Sequence, residues 1–434
     1  MIKFAFQNWN VEYNWWCPNT VPHDFVVDGK KQLPITHEWQ WFDLHTIPDL
    51  DSAKVEKAFA ASARRNDFLY HGGCNVYYSI LDELAGKEKY IFPIMIRNTS
   101  YFILNQNTGF DLIDPRVFVD VHNNKAKIVL MLPYEGTSGA EVWTEDYNTL
   151  NNWCKKYNLK HDQVYYINGN FKSAELSKGM NFTSIPVNSF ISWVPWIPDQ
   201  PISYKPNGQQ NLFLSYNRRP RPHRTILMLE LIRAGLLDRG KISYSGDNLK
   251  NTHWRITEPL INRPDLAREA EILDSLIPIE LDMDLINNNP ANNLEGQHYE
   301  STFVSLVPET LFDKNAIFFS EKTWKTIAAG HPFFLVSSPG MLAELRNMGF
   351  YTYGSFWDES YDNTESIHEK ILQIVGELKK LSHLSDDKLL SLRRDMQGII
   401  EHNQRHFRSM WWNSRRNDSQ HDLLEKVQEI WNSY

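Results

Sequence analysis

The sequence predicts an α/β fold in which parallel strands alternate with helices along the chain. Short, continuous apolar runs, typical of strands buried on both faces, recur between segments with helical periodicity. Strand and helix in alternation is the pattern of layered α/β domains. The predicted strands are Tyr90–Ile96, Lys127–Pro133, Gln163–Asn168, Thr183–Val187, Asn211–Tyr216, Lys241–Tyr244, Thr302–Val307 and Pro332–Ser337, and the main predicted helices are Thr225–Leu237, Glu321–Ala329, Ser338–Asn347 and Ile367–Leu381.

The chain length predicts two domains, because 434 residues exceed what one ordinary core accommodates. A boundary is expected at Trp193–Gln210, which carries four prolines and a glycine and reads as an extended linker. We therefore expect an N-terminal α/β domain over 1–195, a second α/β domain over 211–365, and a helical region over 366–434 that packs back on the first domain.

The composition is that of a globular protein, with 42% apolar and 23% charged residues. A formal net charge of −8 argues against a large nucleic-acid surface, although a local basic cluster could still bind phosphates. Three dispersed cysteines without a CxxC pair, and fifteen histidines without a zinc spacing, predict a reducing compartment and no zinc site. The sequence shows no signal peptide or membrane span, so a cytoplasmic location without membrane insertion is the expectation.

The segment 303–340 contains the first candidate binding residues. A buried strand delivers Glu309 at its carboxyl end, where open α/β sheets bind their ligands. Ser320 is a natural N-cap for a short helix that begins at Glu321 and ends at Gly330. The N-terminus of this helix suits a phosphate, and Lys322 in its first turn could reach a diphosphate. A plain capped helix with surface charges is the alternative interpretation.

A second cluster follows the strand Asn211–Tyr216. It begins at Asn217 and contains a histidine and four arginines, Arg218, Arg219, Arg221 and Arg224. Arginine is suited to bidentate phosphate contacts, so this loop predicts an anion site. A solvated basic turn, a nucleic-acid contact, or pairing with a nearby acidic cluster are the alternatives.

Together the two segments resemble the nucleotide-sugar-binding half of GT-B glycosyltransferases, most closely the α-1,3-fucosyltransferases and related phage-encoded transferases. The resemblance covers residues 211–340, under a third of the chain. The turn around Glu309 reads Val-Pro-Glu-Thr where the family has Phe-Glu-Asn-Ser. The matching features are Glu309, Ser320-Glu321-Lys322, Pro332–Val336, Ser338-Pro339, and Asn217 with Arg224 as counterparts of the family's Asn-containing turn and arginine.

The resemblance implies a GT-B-like fold, with two Rossmann-like domains, an interdomain cleft and C-terminal helices. It implies a nucleotide-sugar donor, an inverting transfer to an acceptor hydroxyl, and no metal cofactor, because arginine and lysine would stabilise the departing diphosphate. A hydroxymethylated phage DNA base is the acceptor it suggests, with a cell-surface glycan as the alternative. The implied donor-binding residues are Asn217, Arg218, Arg221, Arg224, Glu309, Ser320, Glu321 and Lys322.

For the catalytic base, the resemblance points to a glutamate that follows a strand of the N-terminal domain. Glu135 lies in the glycine-containing loop after Lys127–Pro133 and is the candidate. An ordinary loop carboxylate is the alternative for Glu135. The other base candidates are Glu141, Asp114 and His71, and a D-x-D pattern at Asp282 and Asp284, repeated at Asp49 and Asp51, offers a weak metal alternative.

Two other function classes remain open on the sequence. One is a non-catalytic module that binds a nucleotide or saccharide. The other is a nucleic-acid-binding protein that uses the Arg218–Arg224 cluster and the aromatic, arginine-rich segment Trp411–Arg416. That segment could equally be the face with which a terminal helix packs on the N-terminal domain.

Overall fold

The chain folds into two compact units, which we call the N-terminal unit (Met1–Ser192 with Trp411–Tyr434) and the C-terminal unit (Trp193–Met410). The computed structural model describes residues 2–6, 26–27, 30–31, 76–95, 113–132, 142–187, 190–191, 194, 196–206, 211–217, 220–244, 263–279, 281, 294–416 and 421–434.

The N-terminal unit contains a parallel sheet in the order β4-β1-β5-β6-β7-β8. The described side chains of three neighbouring strands, at 90–92, 126–130 and 164–168, are all buried, as expected for a sheet covered on both faces. The strands of this unit are β1 (Ile2–Phe6), β2 (Val26–Val27), β3 (Lys30–Lys31), β4 (Val76–Ile80), β5 (Tyr90–Met95), β6 (Ala126–Leu132), β7 (Val164–Asn168) and β8 (Thr183–Pro186), of which β2 and β3 form a separate antiparallel pair.

The helices between these strands are α1 (Leu81–Leu84), α2 (Pro115–His122), α3 (Val142–Lys156) and α4 (Ser173–Leu176). Helix α2 illustrates how the sequence sets a boundary. Asp114 is its N-cap, and the carboxylate accepts a hydrogen bond from the Arg116 backbone amide at 2.9 Å. Pro115 occupies the first helical position, where a missing amide hydrogen costs nothing. Val117 and Val121, one turn apart, are fully buried and pack the helix on the sheet.

The C-terminal unit contains a four-stranded parallel sheet in the order β10-β9-β11-β12. Its strands are β9 (Phe213–Tyr216), β10 (Gly240–Ser243), β11 (Val304–Pro308) and β12 (Phe333–Val336). Its helices are α5 (Pro222–Arg233), α6 (Ala267–Leu276), α7 (Gly296–Glu300), α8 (Glu321–Ala328), α9 (Met341–Asn347), α10 (Ile367–Ser382), α11 (Asp386–Asp395) and α12 (Gln397–Arg416). The last residues of α12, from Trp411, belong to the N-terminal unit, as does the final helix α13 (His421–Asn432).

The predicted fold class, an α/β chain with two parallel, Rossmann-like sheets and C-terminal helices, is confirmed. The eight strands predicted from the sequence all correspond to observed strands, with ends that differ by at most two residues. None of the helices in the described part of the chain combines the length and hydropathy that a membrane span needs.

The structure divides the helical region predicted at 366–434, rather than packing all of it on the N-terminal unit. Residues up to Met410 belong to the C-terminal unit, and only Trp411–Tyr434 belongs to the N-terminal one. The reason is that α10, α11 and α12 present buried polar side chains to carbonyl groups of the C-terminal unit. These bonds run from Lys370 to Ser337 at 2.9 Å, from Arg393 to Gly330 at 2.6 Å, and from Gln404 to Ala328 at 2.8 Å.

Candidate functional site

The topology of the C-terminal sheet identifies where a ligand would bind. From β9 the chain passes through α5 to β10 on one side, whereas β11 lies on the other side of β9. The carboxyl ends of β9 and β11 therefore flank a topological switch point, which is where open α/β sheets bind ligands. The segments that follow these two strands are the ones that the sequence analysis selected, Asn217–Arg224 and Glu309–Lys322.

The start of α5 is fixed to the end of β11 by two buried side chains. The Arg224 guanidinium donates from Nη2 to the carbonyl oxygens of Pro308 at 3.2 Å and Glu309 at 3.0 Å. His223 Nε2 lies 2.8 Å from the same Glu309 oxygen, so this nitrogen carries the proton that the carbonyl accepts. Both side chains are 3% exposed. Arg224 and His223 therefore brace the two loops of the switch point against each other.

Asn217 is the residue that follows β9, before the loop that leads to α5. It is fully buried, and its backbone amide donates to the Ser243 carbonyl at 3.0 Å, which ties the end of β9 to the end of β10. Its side-chain Nδ2 lies 3.4 Å from the Arg224 carbonyl oxygen in the first turn of α5. Asn217 thus links the end of β9 to the end of β10 and to the first turn of α5.

The Glu309 carboxylate organises the N-terminus of α8. One oxygen accepts from the Ser320 backbone amide at 3.0 Å and from Thr323 Oγ1 at 2.5 Å, and the other accepts from the Thr310 amide at 3.1 Å. Burial raises the pKa of Glu309, while the charge of Lys322 and these hydrogen bonds oppose the increase. Because the side chain is fully buried, it acts on the loop and helix rather than presenting a carboxylate at the surface.

Lys322 and Glu321 form an ion pair at the beginning of α8. Lys322 Nζ lies 3.1 Å from the Glu321 carboxylate and 3.3 Å from Ser320 Oγ, which also accepts from the Lys322 backbone amide at 3.3 Å. Ser320 is thus the N-cap that the sequence predicted. Burial raises the pKa of Glu321, but the charges of Lys322 and Lys325 outweigh it, so the net pKa is lowered and the carboxylate stays ionised.

The electrostatics of His223 show that the two segments meet. Burial is the main cause that lowers the pKa of His223 to about 3, and the charge of Arg224 adds to it, followed by those of Arg221 and Lys322. The two arginines and the lysine are therefore close enough to act on this ring. The hydrogen bonds from His223 and Arg224 to the Glu309 carbonyl oxygen bring the two segments together. The N-termini of both helices also begin here and add partial positive charge. This arrangement is suited to bind a polyanion.

Several predicted residues lie outside the part of the chain that the structure describes. They are Arg218, Arg219, Glu135, Glu141, His71, Asp282, Asp284, Asp49 and Asp51. Asp114 is described, and its carboxylate caps α2 and pairs with Arg116. Among the described residues, no group of three or more histidine, cysteine or acidic side chains could hold a metal ion.

The histidine analysis of the sequence needs one correction. His402 and His406 do form an H-x-x-x-H pair on α12, a spacing that can bind zinc. In the structure their Nε2 atoms donate to the carbonyl oxygens of Gly349 at 2.9 Å and Met348 at 2.7 Å. The pair therefore anchors α12 to the end of α9. The sequence analysis also did not select Tyr216, His298 or Lys325, which border the site and are considered below.

Comparisons with known proteins add little to this picture. No protein-family model matches the chain, and no curated protein matches it in sequence. The chain is similar to the Gap123 glycosylation-associated protein complex of Streptococcus agalactiae, with 11% identity and a TM-score of 0.28. The match covers 94% of this chain and 64% of the Gap123 chain, so this protein spans less than two thirds of that chain's length.

A second similar structure is the UDP-forming α,α-trehalose-phosphate synthase of Burkholderia vietnamiensis, with 13% identity and a TM-score of 0.34. The match covers 89% of this chain and 80% of the synthase. Likeness at these scores carries no argument about function, which has to rest on the geometry of the site.

Proposed function

We propose that the protein is a nucleotide-sugar-dependent glycosyltransferase whose donor diphosphate binds at the carboxyl ends of β9 and β11. The observation that carries the proposal is that His223 and Arg224 bond to the carbonyl oxygens at the end of β11, at the switch point of the sheet. The charges of Arg221 and Lys322 act on the same histidine. An α/β switch point with a cationic cluster and two helix N-termini fits a diphosphate linked to a nucleoside.

The chemistry of the proposed transfer follows from the charge of the leaving group. As the glycosidic bond to the diphosphate breaks, negative charge develops on the diphosphate oxygens. Fixed cations and helix dipoles stabilise this charge more in the transition state than in the bound donor, which accelerates the step. Because the protein itself supplies the positive charge, the proposed mechanism needs no metal ion.

The side chains divide into two groups. Arg221 is half-buried at the N-cap position of α5, and the Lys322 side chain is 17% exposed, so both can reach a ligand. Arg224 and Asn217 are buried and position the loops, as do Ser320 and Glu309. Arg218 and the base Glu135 keep the roles proposed from the sequence.

Nucleoside diphosphates test the donor site directly. We expect one of UDP, GDP, ADP and CDP at 100 times its dissociation constant to stabilise the protein by about 2.7 kcal/mol, which raises the unfolding temperature by about 5 to 10 °C. Lys322→Ala and Arg221→Ala should remove most of this shift, whereas Lys380→Ala on the exposed face of α10 should not. If no nucleoside diphosphate shifts unfolding of the wild-type protein, the proposed donor site is wrong.

Turnover tests the remaining parts. We propose a hydroxymethylated DNA base as the acceptor, with a cell-surface glycan as the alternative, and inversion at the transferred carbon. The nucleotide sugar whose nucleotide stabilises the protein should release that nucleotide when the acceptor is added, with the same rate in EDTA. Glu135→Gln should reduce this rate by about 100-fold or more, as expected for loss of a general base. Full turnover in the Glu135 variant would refute its assignment, and loss of turnover in EDTA would refute the metal-independent mechanism.

A further inference from the structure

A second group of polar side chains lies beside the proposed diphosphate site, at the last residue of β9. The Tyr216 hydroxyl lies 2.8 Å from His298 Nδ1 of α7. The Tyr216 ring contacts the ring of Tyr299 edge to face at 6.3 Å and the Lys325 ammonium at 5.5 Å. Adjacent strand residues point to opposite faces of a sheet, so Tyr216 and Asn217 serve different sides of the same strand end.

Lys325 connects this group to the ion pair at the start of α8. It is 5% exposed, and its charge helps to lower the pKa of Glu321. Because Glu321 and Lys325 are four residues apart in α8, they lie on the same face of the helix. Glu321 also pairs with Lys322, which belongs to the diphosphate cluster. Glu321 is therefore under the influence of Lys322 from the cationic cluster and of Lys325, whose ammonium lies on the Tyr216 ring, and these two lysines keep its carboxylate ionised.

The chemistry of these groups differs from that of the cationic cluster. An ionised carboxylate accepts hydrogen bonds from hydroxyl groups, and a phenol and an imidazole can both donate and accept them. An aromatic ring offers a flat apolar face with a polar edge, as a ring with hydroxyl substituents requires. The group combines all three, and its Glu321 carboxylate pairs with Lys322, one of the residues proposed to hold the diphosphate.

We propose that Tyr216, His298 and Glu321 form a subsite for a hydroxyl-bearing ring attached to the donor diphosphate, with Lys325 as the residue that positions Glu321 and Tyr216. The ring is either the pentose of the nucleoside or the transferred sugar, which share this chemistry. The inference rests on the proposed donor site, and it adds which part of the donor these residues recognise.

Tyr216→Phe is the test, because phenylalanine retains the ring contacts to Tyr299 and Lys325 and removes only the hydroxyl. Binding of four probes to the full chain would be measured by calorimetry: inorganic pyrophosphate, the best-binding ribonucleoside diphosphate, its 2′,3′-dideoxy form, and the corresponding nucleotide sugar. Loss of one hydrogen bond should weaken binding of the relevant probe about five- to tenfold. Tyr351→Phe, at a 54% exposed tyrosine far along the sequence, is the control and should change none of the four.

The outcomes separate the two sources and the two proposals. Weaker binding of the ribonucleoside diphosphate, but not of its dideoxy form, supports the subsite and assigns it to the pentose. Weaker binding of the nucleotide sugar alone supports the subsite and assigns it to the transferred sugar. His298→Gln should weaken binding of the same probe that Tyr216→Phe affects. If Tyr216→Phe binds all four probes like the wild type, or weakens pyrophosphate equally, the subsite is wrong. If the wild-type protein binds none of them, the donor site itself fails.

Discussion

Replacing Arg224 separates a bracing role from a ligand contact. Arg224→Met retains most of the buried side-chain volume but removes the hydrogen bonds to the Pro308 and Glu309 carbonyl oxygens. Hydrogen bonds from a charged donor contribute about 1.5 to 3 kcal/mol each. The Glu309 oxygen keeps its bond from His223, and methionine avoids the cost of burying a guanidinium, so part of the loss is offset. We expect a net destabilisation of about 2 to 3 kcal/mol, which corresponds to about 5 to 10 °C.

Thermal and urea unfolding, followed by circular dichroism, measure this effect. The matched control is Arg221→Met, three residues earlier, where a half-buried side chain should change stability by less than about 0.5 kcal/mol but weaken binding of nucleoside diphosphates. If Arg224→Met unfolds like the wild type and only loses nucleotide binding, the guanidinium contacts the ligand and the bracing role is wrong.

Two further predictions concern the same unit. Gly330 ends α8 with φ +67°, and an added Cβ would lie 2.5 Å from Pro201 Cβ, so Gly330→Ala should lower the free energy of unfolding by about 2 to 4 kcal/mol in urea titrations. The control, Gly376→Ala in open space within α10, should raise it by about 0.5 to 1 kcal/mol. Equal effects of the two substitutions would contradict backbone strain and crowding at position 330. Burial lowers the pKa values of His223 and His331 to about 3, below the 6.5 of a free histidine, so the unfolded chain gains protons that the folded one excludes. The free energy of unfolding should therefore fall as pH decreases below 6.5, by about 1.4 kcal/mol per pH unit for each histidine. Between pH 6.5 and 5, His223→Gln should remove the part of this pH dependence that His223 contributes. If the dependence of the free energy of unfolding on pH is the same in the variant, His223 is not neutral in the folded protein.

The strands were predictable because buried parallel strands leave continuous apolar runs in the sequence. Val164–Asn168, Val304–Pro308 and Phe333–Val336 are buried at every position, as expected for strands covered on both faces. β1 and β4 were not predicted. They pair with each other across a long stretch of chain, from Ile2 to Val76, and that partnership cannot be read from either segment alone.

The proximity of the two candidate segments was also predictable, but the orientation of their side chains was not. Asn217–Arg224 and Glu309–Lys322 both follow strands of one parallel sheet, so their proximity follows from topology. Whether an arginine faces a ligand or a carbonyl depends on which backbone groups the fold leaves in need of a donor. Arg224 satisfies two such carbonyls, and the Glu309 carboxylate satisfies amides of the α8 terminus. Residue type and spacing do not contain that information.

The two carboxylates in the site are compatible with an anionic ligand because the cations outnumber them. Among the described residues, the charged side chains that act on one another around His223, Glu309 and Glu321 include six, which are Arg221, Arg224, Lys322, Lys325, Glu309 and Glu321. Four are cations and two are acids, and His223 is neutral at pH 7, so the cluster has an excess of two positive charges even with both acids ionised. Glu309 is occupied by internal donors, whereas Glu321 pairs with Lys322 and keeps acceptor capacity for a ligand. A bound diphosphate would balance the remaining charge, whereas a neutral ligand would leave it uncompensated among largely buried side chains.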